Sequence, residues 1–389
     1  MNSSTRKTKV IVFGIAFWYP LAGVTWQFLH YLIGLRRLGC DLYYVEDCPR
    51  MVYDPALNDF SMDAGNNLAA VVPSLERHGF AGRWAFRGID GRCHGMSETQ
   101  LAQLYEDADA CLNVTGAHEL RDEHLSIPRR IYVETDPVAT QVLAAAGHEK
   151  TIAQLSAHHV LFSYGENIGA PDCLLPASRF AWLPARQPVV FDLWRQDDAI
   201  GGEAYTTVAT WRNPGKDIVY KGEQYRWSKD SEFARFLDLP ACTRAKLEIA
   251  TRVDEVTAGL LRGRGWNLAD SLVVSRMPDE YRRYIRHSRG EFTIAKDQNV
   301  RLRSGWFSDR SCCYLAAGRP VITQETGFSK FLPTGQGLFA FRTMDEILTA
   351  IDKIESNYPV ACRAAREIAA EYFSAEKVLS KLLSTAGLA

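Results

Sequence analysis

The strongest constraint on the fold is a repeated coupling of a short apolar run to a helical period. Residues 9–14 (KVIVFG) form such a run, ending in glycine, and suit a strand buried on both faces of a parallel sheet and followed by a loop. Across residues 25–38, Trp26, Leu29, Leu32, Ile33 and Leu35 recur at helical spacing, Gly39 stops the helix, and 41–45 (DLYYV) reads as the next strand. This is a β-α-β unit. Residues 110–116, 130–134 and 160–164 repeat the strand pattern between polar or helical stretches, so the first half reads as doubly wound α/β.

Residues 183–188 (LPARQP), followed by 189–194 and the polar 195–202, read as a crossing between domains. With 389 residues, more than a single core normally holds, the chain divides near residue 198 into 1–197 and 198–389. A second series of short strands follows at 205–210, 246–250, 292–295, 320–323 and 338–341, and the amphipathic stretch 344–383 reads as helices that finish this domain, with the reach to cross back to the first. The expected architecture is α/β: two facing Rossmann-like parallel-sheet domains with an inter-domain cleft, where ligands bind beyond the carboxyl ends of the strands.

Composition excludes several classes. Lys plus Arg number 45 against 46 Asp plus Glu, a net charge of −1 with no long block of one sign, which argues against a nucleic-acid partner or an anionic-membrane surface. The start, MNSSTRKTKVIVFGI, is neither a secretory signal nor a membrane span, so a soluble cytoplasmic protein is expected, with peripheral membrane contact left open. Nine scattered cysteines without a Cys-x-x-Cys pair indicate neither a disulfide framework nor a zinc site.

Some motifs carry less than they promise. Gly263–Arg–Gly265 lacks the third glycine of a dinucleotide fingerprint, and Asp107–Ala–Asp109 precedes a strand instead of ending one. His158–His159 has no acidic residue at metal spacing. Asn113–Val–Thr115 is a glycosylation sequon in an expected buried strand. Trp18, Tyr19 and Trp26 read equally as an acceptor-stacking platform or as core.

Residues 303–329 (RSGWFSDRSCCYLAAGRPVITQETGFS) concentrate the chemistry. With Ser308 as N-cap its hydroxyl is expected to accept a backbone N–H near Ser311, while Phe307 staples onto Cys312. The free N–H groups and partial positive charge of such a helix start suit a phosphate, and Arg303 and Arg310 would add charge-assisted hydrogen bonds. Asp309 fits there as a dipole partner, or as an acceptor from sugar hydroxyls or from Arg310. On this reading Arg310→Ala weakens diphosphate binding far more than it lowers the melting temperature.

The run AAGRPVI followed by ETGFS (residues 316–329) resembles the donor-site segment of GT-B nucleotide-sugar glycosyltransferases, and residues 337–342 and 364–373 are similar to the closing region of the same proteins. The resemblance covers about residues 290–375; earlier, only the β-α rhythm and Gly23 after the first strand match. It implies a metal-independent, cofactor-free transfer of a sugar from a nucleotide-diphosphate sugar, the co-substrate, to a small-molecule, glycan or lipid-linked acceptor held mainly by the first domain. In the retaining branch an Arg and a nearby Lys-Gly contact the diphosphate, which points to Arg212 and Lys221, with Lys216 as a rival; Thr326 and Gly327 fall near the sugar, and Gly23 and Trp18 on the acceptor side. The ribose-binding Glu of that branch is replaced by Cys313, so the stereochemistry stays open. Lys296, ending a strand, reads equally as a cleft residue or a surface lysine.

Transfer also needs a base for the acceptor hydroxyl if it inverts. Asp136, directly after a strand, and Glu166, in a Gly-rich loop after the next, lie at the correct edge; the plainer reading of Asp136 before Pro137 is a helix start. A sugar-nucleotide epimerase and a non-catalytic sugar or nucleotide-binding protein are the competing readings.

Overall fold

The computed structural model describes residues 6–177, 179–195 and 201–388. In chain order the strands are β1 (Lys9–Phe13), β2 (Asp41–Glu46), β3 (Val52–Asp54), β4 (Asp59–Ser61), β5 (Trp84–Arg87), β6 (Cys93–Gly95), β7 (Ala110–Val114), β8 (Arg129–Glu134), β9 (Val160–Ser163), β10 (Trp182–Pro184), β11 (Ala204–Val208), β12 (Ile218–Tyr220), β13 (Glu223–Tyr225), β14 (Lys246–Ala250), β15 (Asn267–Ala269), β16 (Gly290–Thr293), β17 (Val321–Gln324) and β18 (Leu338–Phe341). Two large sheets result. The first has the order β10-β9-β8-β7-β1-β2-β5-β6, parallel except for the antiparallel β5–β6 edge, and the second the order β15-β14-β11-β16-β17-β18, parallel throughout.

Each strand expected from apolar runs is present, with ends shifted by a few residues. Apolar runs did not mark β5, β6, β10 or β15, which are short edge or near-edge strands with mixed composition; β10 overlaps the start of the Pro-rich stretch read as a crossing. The proposed boundary near residue 198 lies outside the described residues; the first sheet ends at Pro184 and the second begins at Ala204. Two antiparallel hairpins, β3–β4 and β12–β13, stand apart from the sheets.

The helix Ala22–Arg37 occupies the centre of the molecule. Its residues Trp26, Phe28, Leu29, Tyr31, Leu32 and Leu35 are buried in one apolar cluster that also takes Val10 and Val12 from β1, Cys312 and Tyr314 from the helix Asp309–Ala316, and Leu379 and Leu382 from the helix Ala375–Thr385. The last of these does cross back. It packs on the first helix at Gly34, where an added Cβ would lie 2.6 Å from Leu379 Cδ1 and 2.8 Å from the Ala375 Cβ. The chain segment that leads to it is laced to residue 189, Val189 N–H donating to Phe373 O (2.7 Å) and Ala375 N–H to Val189 O (2.9 Å). A second cluster, with Phe292, Ile322, Phe341 and Ile347, fills the other face of the second sheet, and a third, with Ile11, Val45 and Leu101, the other face of the first.

Candidate functional site

The loops at the carboxyl ends of β8 and β9 meet those of β11, β16 and β17, so side chains from both sheets share one site. Asp136 lies in the bend after β8. Lys296 follows β16 as N-cap residue of the helix Asp297–Leu302, and its Nζ donates to Asp136 Oδ2 at 2.7 Å. The same oxygen accepts the Trp227 indole N–H and has Lys216 Nζ at 3.8 Å. Lys296 also stands over the Trp227 ring at 4.1 Å. Asp136 Oδ1 is buried without a hydrogen-bond partner. Burial alone would raise the Asp136 carboxyl, but Lys296 and then Lys216 outweigh it and hold it below the usual range. Burial likewise lowers the Lys296 ammonium, against the pull of Asp136.

A third lysine completes the group. Lys229, immediately before the helix Asp230–Ala234, is only 7% exposed and, among the described residues, has neither an ion-pair nor a side-chain hydrogen-bond partner. Burial drives its ammonium well down, and the nearby charges of Arg310 and Lys296 push in the same direction, against Glu291 and Asp136. The β12–β13 hairpin explains why sequence spacing missed it: the hairpin intervenes between the end of β11 and this helix, so the lysine that reaches the site comes after it. Lys221, the expected residue, sits at the hairpin tip with a φ of 52° and its Nζ over the Tyr220 ring, while its rival Lys216 faces Asp136. Arg212 projects outward, 75% exposed, and pairs with Asp230 at 2.7 Å.

The helix Asp309–Ala316 opens into the same region, but its start departs from expectation. Ser308 is the N-cap, yet its side chain makes no capping hydrogen bond, and Ser311 Oγ is buried and unpartnered. Phe307 lies against Phe373 (5.4 Å between ring centroids) and Phe328 (5.2 Å). Arg310 turns away from the cleft: Nε meets Glu291 Oε1 and one terminal nitrogen donates to Val208 O, each at 2.5 Å, and the other donates to Thr293 Oγ1 at 2.6 Å. With its donors committed beneath β11 and β16, it is not a free phosphate ligand. Asp309 does not pair with Arg310. Burial raises its carboxyl to about 7, with the charge of Asp136 adding to the rise, and Gln27 of the first helix approaches at 3.4 Å.

Other expected residues have structural roles. Arg303, with a φ of 52°, pairs with Asp172 at 2.7 and 3.0 Å, and its carbonyl accepts from Asn167 Nδ2 at 2.8 Å, so it ties the two halves together instead of facing a phosphate. Hydrogen bonds from Lys330 and then Arg303 outweigh partial burial and hold the half-buried Asp172 carboxyl down at about 2. Glu166 is clamped by Arg186 through bonds of 2.7 and 2.9 Å, which removes it as a free base. Thr326 Oγ donates to Trp306 O (2.6 Å), and Gly327 has a φ of 105° that a side chain would resist. Gly23 lies in the first helix, where an added Cβ would approach Tyr281 Oη at 3.4 Å across the halves. Trp18 is core: 1% exposed, stacked on His118 at 4.7 Å, with the Arg50 guanidinium over its ring at 3.9 Å. Asp136 is not a helix cap, because the next helix, Ala139–Ala145, takes Val138 as N-cap, at a φ of 106° that strains a β-branched residue.

Asp47, Glu123 and His124 come within metal-binding distance of one another. The Asp47 oxygens, however, already accept from Arg87 (2.6 Å), Arg121 (2.7 Å) and Tyr105 (2.6 Å), so this is a buried ion-pair network.

Searches of family models and of curated proteins find no match to the sequence. Solved structures do match along nearly the whole chain. An alpha-glucosyltransferase in complex with UDP and a DNA 13-mer superposes with a TM-score of 0.57 at 9% identity, covering 98% of this chain and 100% of that one. HepE of Anabaena, in complex with UDP and glucose, gives 0.56 at 10% identity over 98% and 100%. A glycosyltransferase involved in avilamycin A biosynthesis gives 0.56 at 11% identity over 98% and 97%. The fold is GT-B. The expectation of two facing parallel sheets with a shared cleft therefore holds, and the lysine group lies where the two halves of this GT-B chain meet. No helix among the described residues is long and apolar enough to cross a membrane.

Proposed function

We propose that the protein transfers a sugar from a nucleotide-diphosphate donor, seated on the second sheet, to an acceptor held mainly by the first. One observation carries the reading: Lys296 and Lys216 face a single carboxylate, Asp136, at the carboxyl ends of the strands, and the buried Lys229 lies near enough for its charge to act on Lys296 and Asp136. Burying an ammonium without a counter-charge costs several kcal/mol, on the order of the desolvation penalty for one ion. Such a cost is tolerated where an anionic ligand supplies the missing charge. The helix Asp309–Ala316, whose N-cap Ser308 makes no side-chain capping bond, starts on the same side and would turn its first-turn N–H donors toward an anion. These groups would neutralise a leaving diphosphate without a metal ion, and electrostatic stabilisation of this kind lowers the barrier to glycosyl transfer.

Asp309 is the better-placed proton acceptor. A carboxyl near 7 is half ionised at neutral pH, whereas Asp136 is locked in an ion pair and Glu166 in its arginine clamp. A small-molecule, glycan or lipid-linked acceptor suits the first domain better than a nucleic acid, since the net charge is −1 and the Arg87 and Arg121 guanidinia are spent on Asp47. The nine cysteines are all unpaired, as suits the cytoplasm.

A thermal-shift panel of UDP-, GDP- and TDP-sugars tests the donor reading, followed by assay of nucleotide release with candidate acceptors. Stabilisation by one nucleotide class and release only with acceptor are expected. An isomerised sugar without transfer would establish an epimerase, and no shift with any member of the panel would remove the donor reading.

A further inference from the structure

The anion that now occupies the lysine group belongs to the protein itself. Asp136 comes from the loop after β8 in the first sheet, whereas Lys216, Lys229 and Lys296 come from the second. A single oxygen, Oδ2, receives both the Lys296 ammonium and the Trp227 N–H, while Oδ1 is buried with no partner. Lys229 remains unpaired. The carboxylate therefore underfills its surroundings in charge and in hydrogen bonds. Arg310 does not alter the balance, because Glu291 neutralises it. Lys216 and Lys296 face this one carboxylate, and both the buried Lys229 and the buried Asp309 are held toward their neutral forms, so the group can take more negative charge than Asp136 supplies; the diphosphate bridge of a nucleotide sugar carries one negative charge on each of its two phosphates.

We propose that Asp136 is a resident counter-anion of the donor seat, displaced when the diphosphate binds and returning as the nucleotide product leaves. This rests on the donor reading given above. The exchange is one anion for another on the same cations, with no covalent change. With donor bound, the three lysines face two phosphates and Asp136 withdraws toward its own sheet. After transfer, the liberated nucleoside diphosphate competes with Asp136 for Lys296, which speeds its departure. Asp136 is thus a positioning residue that sets how tightly donor and product are held. The neighbouring Val138, held at a φ of 106°, and Trp306, whose indole N–H donates to Thr135 O at 3.0 Å, define the short loop that has to shift.

A merely structural ion pair and a competing anion predict opposite changes in affinity. Calorimetry with UDP and with inorganic pyrophosphate would compare the full-length protein with Asp136→Asn and Asp136→Ala, and stopped-flow would follow UDP dissociation. The expected result is UDP binding at least tenfold tighter in both variants, with slower dissociation and tighter pyrophosphate binding. In the unsubstituted protein, UDP should change the Trp fluorescence, and Trp227→Phe should abolish most of that change; this readout does not require the Asp136 variants to fold. Equal or weaker UDP binding in well-folded Asp136→Asn, or no Trp227-dependent change on binding, would overturn the displacement while leaving the donor seat intact. Absence of UDP and pyrophosphate binding in every form would overturn the seat and the displacement together.

Discussion

Arg310 and Glu291 form a buried ion pair at 2.5 Å, with the Glu291 side chain fully enclosed and Arg310 13% exposed. The pair links the start of the helix Asp309–Ala316 to β16. Removal of one partner from such a pair leaves an uncompensated charge and costs about 3–5 kcal/mol. Arg310→Ala is therefore expected to destabilise the second domain by about that amount in urea unfolding, with little change in UDP affinity of the folded protein. This reverses the order of effects expected from the sequence; a large loss of affinity at unchanged stability would restore the phosphate-ligand role.

Lys229 should behave in the opposite way. Its ammonium is buried and unpaired, so Lys229→Met removes a desolvation cost while keeping most of the packing of the stem. The melting temperature should stay level or rise, and UDP should bind at least tenfold more weakly. A drop in melting temperature with unchanged UDP binding would show that the lysine serves the fold alone.

Asp309 predicts a specific pH dependence. Its carboxyl is raised from 3.8 to about 7 in the folded protein, chiefly by burial. Between those values the folded state holds a proton that the unfolded state has released, so this group's contribution to stability is complete below about 4 and is lost as the pH rises toward 7. The melting temperature should fall less between pH 5 and about 8 in Asp309→Asn than in the unsubstituted protein. If Asp309 takes the acceptor proton, kcat/KM rises to a plateau above about pH 7, and that inflection disappears in the variant. An identical pH profile in the two proteins would assign the proton elsewhere.

Gly34 tests the packing of the crossing helix. Alanine gains about 1 kcal/mol in helix propensity over glycine, but here its Cβ would lie well inside contact distance of Leu379 and Ala375, and overpacking costs about 1–3 kcal/mol. Gly34→Ala should therefore lower the melting temperature, and Ala375→Gly should recover much of the loss. Stabilisation by Gly34→Ala alone would mean that the two helices do not pack as described.

The alternation of apolar runs and helical periods was enough to anticipate both sheets, because a strand buried on two faces must be apolar at nearly every position. β10 escaped notice because Trp182–Leu–Pro184 pairs along only one edge and carries a proline, which a sheet edge tolerates. At the site, position relative to strand ends drew attention to Asp136 and Lys296, and the helix start to Asp309; the structure pairs the first two and sets Asp309 near enough for its charge to act on both. The roles were harder to read. Whether a cation near a strand end faces a ligand or an internal carboxylate depends on pairing between distant segments, as with Arg310 and Glu291 or Arg303 and Asp172. Lys229 was hidden by the inserted β12–β13 hairpin, which breaks any count of residues from the strand. Its signal in the sequence is the lysine directly before the acidic helix start Asp230–Ser–Glu232, visible once the hairpin is set aside.

The return of the helix Ala375–Thr385 to the first helix bears on how the protein is made. During synthesis the first sheet and the helix Ala22–Arg37 emerge early, but the surface around Gly34 and Leu35 is covered only by residues that leave the ribosome after the whole second sheet. Domains usually mature in the order of their synthesis. In this chain the half begun first is finished last, so the nascent protein carries an open apolar seam through most of translation, and that seam, more than either sheet, is where chaperone engagement and premature association would concentrate.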